Sequence, residues 1–180
     1  MASFNTKKTA IQNKAAAESA AEEVLASLGE ALSAYNSESD EEQKAVKLTA
    51  LKNAYADTLS AVDAYTNAGY NDAESALEGY TSIASVKTAM VAADKAKLTA
   101  AALAFSVEKN DDEDAAKTAV ETVANALEGL CFTDWKVSGN ITGFNSGSAG
   151  EVTVSLTLAS RKAGDNTGSI ADITMTVTGE

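Results

Sequence analysis

The stretch Asp111–Trp135, DDEDAAKTAVETVANALEGLCFTDW, decides the fold. Asp111, Asp112, Glu113 and Asp114 open it, and Ala116, Val120, Val123, Leu127 and Leu130 follow at helical spacing. Gly129 closes the run ahead of Phe132 and Trp135. Acid at the start of a helix meets the positive end of its dipole, and glycine just past the end is a common stop. Upstream the apolar period is that of a helix; downstream it is two. The reading is α+β. Residues 1–110 form an elongated, alanine-rich antiparallel helical bundle or stalk. Residues 111–180 form a helix plus a C-terminal antiparallel β meander, three-stranded or larger, packed on that last helix.

Downstream, Phe132, Trp135, Val137 and Ile141 fall in a first strand region interrupted at Gly139. Val152, Val154, Leu156 and Leu158 alternate strictly with Thr153, Ser155 and Thr157, and Ile173, Met175 and Val177 alternate with Thr174, Thr176 and Thr178. Such alternation gives a sheet one apolar and one threonine face. Polar loops are expected over 145–150 and 161–168. Trp135, Val154, Leu156, Ile173 and Met175 are the expected β core. The strand from Ile170 to Thr178 has few charges, and it is either covered within the chain or pairs between subunits.

Upstream, Ile11, Ala21, Leu25, Leu28, Leu32 and Tyr35 mark a long helix over about Thr6–Tyr35. A turn at Asn36–Asp40, with Ser39 or Asp40 as N-cap, leads to a second helix over about Glu41–Asn67 carrying Leu48, Leu51, Tyr55, Leu59, Val62 and Tyr65. So short a connection makes the two antiparallel neighbours. Leu25, Leu28, Leu32, Leu48, Leu51 and Leu59 are the expected packing residues between them. Gly69 and Gly79 bracket a short helical turn, and a third long helix is expected over about Ser82–Glu108, including Ala101 and Phe105.

The chain has no histidine, which removes the usual general base, Ser-His and Cys-His nucleophiles and nearly every zinc site. Neither a GxGxxG nor a GxxxxGK[ST] phosphate cradle occurs. A net charge of −12, with Arg161 as the only arginine, disfavours a nucleic-acid backbone as partner. The lone Cys131 rules out an intrachain disulfide and reads as a small buried hydrophobe. The acidic runs Glu38–Glu42 and Asp111–Asp114 lack EF-hand spacing and read as helix-start charge rather than calcium ligands, and the loop Asp165–Gly168 reads as a turn. No catalytic, cofactor or metal residues are expected, and no small-molecule substrate. No apolar run is long enough to span a membrane, and Met1–Lys8 is not followed by the apolar core of a signal peptide.

The helix ending Ala126-Leu127-Glu128-Gly129, the strand with Trp135 and the two threonine-alternating strands together resemble helix-plus-β modules of large bacterial surface proteins, over about the last 70 residues. The order of an alanine-rich helical stalk and a terminal β module is similar to that of bacteriophage structural proteins. These resemblances imply a nonenzymatic structural or assembly protein, oligomeric, in a virion (capsid, tail or fibre-associated) or a similar extracellular assembly. The alternative they imply is a cell-surface or S-layer-like adhesion module binding a wall polymer, carbohydrate or host protein.

Overall fold

The computed structural model describes residues 2–101, 103–144, 147, 149–163 and 167–178, with side chains throughout except at 2 and 167–173. The chain is α+β and divides into two compact units, Met1–Lys87 and Thr88–Glu180.

The first unit is built on α1 (Ala2–Ser37) and α2 (Glu41–Asn67). Asp40 starts α2: its Oδ1 accepts the N–H of Gln43 at 2.9 Å, with Glu41 and Glu42 in the first turn. In α1 the burial follows a heptad rhythm: Lys14, Glu18, Ala21, Leu25, Leu28, Leu32 and Tyr35 are all withdrawn from solvent, and Ala21, Leu25 and Leu28 completely so. In α2 the fully buried residues repeat every seven, at Leu51, Thr58 and Tyr65. A seven-residue repeat on both helices is the seam of an antiparallel coiled-coil pair.

This seam corrects one expectation. Leu59 is 41% exposed, because the buried position belongs to Thr58, one residue and about 100° away around the helix. Thr58 is tolerated there because its hydroxyl donates to Ala54 O at 2.8 Å. Leu25, Leu28 and Leu51 are fully buried as expected, whereas Leu32 and Leu48 are half-buried. The short α3 (Ala73–Ala76) turns the chain back, and Leu77 joins Ala21, Leu25 and Tyr65 in a small core.

The second unit contains most of α4 (Ser82–Ala100), then β1 (Ala104–Glu108), α5 (Glu113–Ala126), β2 (Trp135–Thr142), β3 (Gly150–Ser160) and β4 (Thr167–Thr178). The third long helix therefore ends at Ala100, and Phe105 lies on a strand. The alternation of Leu103, Phe105 and Val107, all buried, with exposed Ala104 and Ser106 has the period of a strand. The sheet is four-stranded and mixed, in the order β1-β4-β3-β2, with β1 parallel to β4 and the other pairs antiparallel. The three expected strands do form an antiparallel meander. The addition of β1 changes their roles, placing β4 inside the sheet over Thr174–Thr178 and leaving β1 and β2 as the outer strands.

One face carries Phe105, Val107, Trp135, Val154, Leu156, Leu158, Met175 and Val177, all buried. The side chain of Ile173 and the loop at 164–166 lie outside the described residues, as do 145, 146 and 148 of the earlier loop. Helix α5 touches both outer strands and buries Ala116, Val120 and Ala124; Val123 and Leu127 are half-buried. The junction after α5 is fixed by the buried Asp94, whose two carboxylate oxygens accept the N–H groups of Cys131 at 2.7 Å and Phe132 at 2.9 Å. A polar group so buried needs such hydrogen bonds.

Candidate assembly surface

The outer edge of β2 faces a row of α5 side chains. Asn125 accepts the Trp135 N–H at 2.8 Å and donates to Trp135 O at 2.9 Å, as a neighbouring strand would. Glu121 accepts the Val137 N–H at 2.9 Å, and Glu113 accepts the Ile141 N–H at 2.8 Å. The match is geometric: four residues of helix advance about 6 Å, and two residues of strand advance about 6.8 Å. Lys117 occupies the intermediate helix position. It has no acceptor to offer, and pairs with Glu113 at 3.3 Å and Asp114 at 3.7 Å. There the strand leaves register between Ser138 and Thr142, at Gly139 with its left-handed φ of 78°. An edge dressed in this way does not invite another strand.

The other outer strand, β1, is only five residues long. Its last N–H, at Glu108, is taken by Asp111 Oδ2 at 2.9 Å. Together with Asp112, which caps α5 through Ala115 N–H at 2.9 Å, this uses the acidic run 111–114 within the chain. Among the described residues, no group of three or more acidic or cysteine side chains could hold a metal ion. Nor is any helix among them long and apolar enough to cross a membrane.

The helical unit presents a different surface. At about 1.5 Å per residue, α1 is about 54 Å long and α2 about 40 Å, so α1 outruns its partner. Every residue from 3 to 13 is exposed. The heptad frame nevertheless continues through them: Phe4 and Ile11 stand at the same frame position as Leu25 and Leu32, and are 72% and 69% exposed. Lys7 stands between them at the frame position of Lys14, Ala21 and Leu28, Lys8 lies beside it, and residues 2–14 contain no acid.

Tyr70 marks where the covered part of the seam begins. Its ring stacks on Tyr65, 4.0 Å between centroids and 8° from parallel, and Lys14 Nζ sits 4.0 Å from its centroid. Its hydroxyl donates to Glu18 Oε2 at 2.6 Å. That hydrogen bond, with loss of solvent and the Glu18 charge, pushes the Tyr70 phenol up to about 12. Burial, followed by the charges of Glu18, Asp72 and Glu22, raises the Tyr65 phenol as well.

At the far end of α1, Gly29, Leu32, Ser33, Asn36 and Ser37 line an open concavity of about 510 Å³. Their spacing makes one stripe of the helix. A Cβ at Gly29 would meet nothing within 4 Å. Glu30, Glu38, Asp40, Glu41 and Glu42 follow in this part of the sequence, and Lys44 Nζ lies 5.6 Å from the centroid of the Tyr35 ring.

Comparison with protein-family models, with curated proteins and with solved structures finds no match to this chain.

Proposed function

We propose that this chain is a nonenzymatic structural subunit, assembling with copies of itself or with other structural subunits in a virion or a similar extracellular assembly. The observation that carries this reading is the heptad seam of α1, which continues past the end of α2 and leaves Phe4 and Ile11 in solvent. Apolar side chains left in water gain from a partner that covers them. The dressed edge of β2 favours contact through the helices rather than by strand addition. The acidic remainder of the surface suits solubility at high concentration.

Negative-stain electron microscopy of the concentrated wild-type chain tests the proposal. Ordered rings, filaments or other repeating particles are expected. A field of single particles of one chain each, under every buffer and concentration, would contradict it.

A further inference from the structure

We draw no further inference here: the strongest candidate, the exposed face of α1 that carries Phe4 and Ile11 with Lys7 between them, belongs to the surface already described, and nothing in the structure shows what covers it.

Discussion

Glu121 holds the edge of β2 by accepting the backbone N–H of Val137 at 2.9 Å, while its other oxygen takes Lys136 Nζ at 2.8 Å. The Glu121 side chain is 17% exposed, so its loss is felt more than that of an open surface pair. Glu121→Ala should destabilise the chain by about 1–2 kcal/mol, the cost of a lost charge-assisted bond to an N–H that regains some water. Glu121→Gln keeps an acceptor for Val137 and should cost less than about 1 kcal/mol. Urea unfolding measures both. Turbidity at elevated protein concentration should rise for the alanine variant first, because its strand edge is bare.

Asn125 offers β2 both an acceptor and a donor through Trp135. Asn125→Asp keeps the acceptor, loses the donor and sets a carboxylate against the Trp135 carbonyl. A loss of about 1–3 kcal/mol is expected. The chain's one tryptophan is the adjacent residue, so its fluorescence reports the local change directly.

Tyr70 makes stability depend on alkaline pH. Its phenol titrates at about 12 in the folded chain against 10.0 unfolded, chiefly because it donates to Glu18. Between those values the unfolded chain has released the proton and the folded chain retains it, so stability falls as pH rises. The contribution is complete below pH 10 and gone above 12. Tyr70→Phe should flatten that part of the stability curve. Unfolding midpoints measured across the window, for wild type and variant, check the prediction.

Gly29→Ala should stabilise the isolated chain by roughly 1 kcal/mol, since a methyl group there meets no neighbour and helix propensity improves. Thermal unfolding at dilute concentration gives the sign. No gain would mean that the glycine already serves a conformation within the chain.

Local signals carried much of the fold. Asp40 and Asp112 cap helices as their sequence neighbourhoods suggest, and the alternating strands at Val152–Leu158 and Ile173–Val177 belong to the sheet. The strand at Ala104–Glu108 escaped because Leu98, Ala101 and Phe105 also fall at helical spacing. Five residues cannot decide between two periods, and what settles them is a parallel partner some 70 residues away at Thr174–Thr178. Leu59 misled for a related reason. Hydrophobicity alone selected it over Thr58, whereas the seam is set by the seven-residue repeat through Leu51 and Tyr65. The candidate surface was half legible: Phe4 and Ile11 are plain in the sequence, but their exposure depends on where α2 stops.

Light scattering behind size-exclusion chromatography, over a hundredfold dilution of the wild-type chain, tests assembly most directly. The account predicts a mass that rises with protein concentration. A mass of 18.4 kDa at every concentration would contradict it.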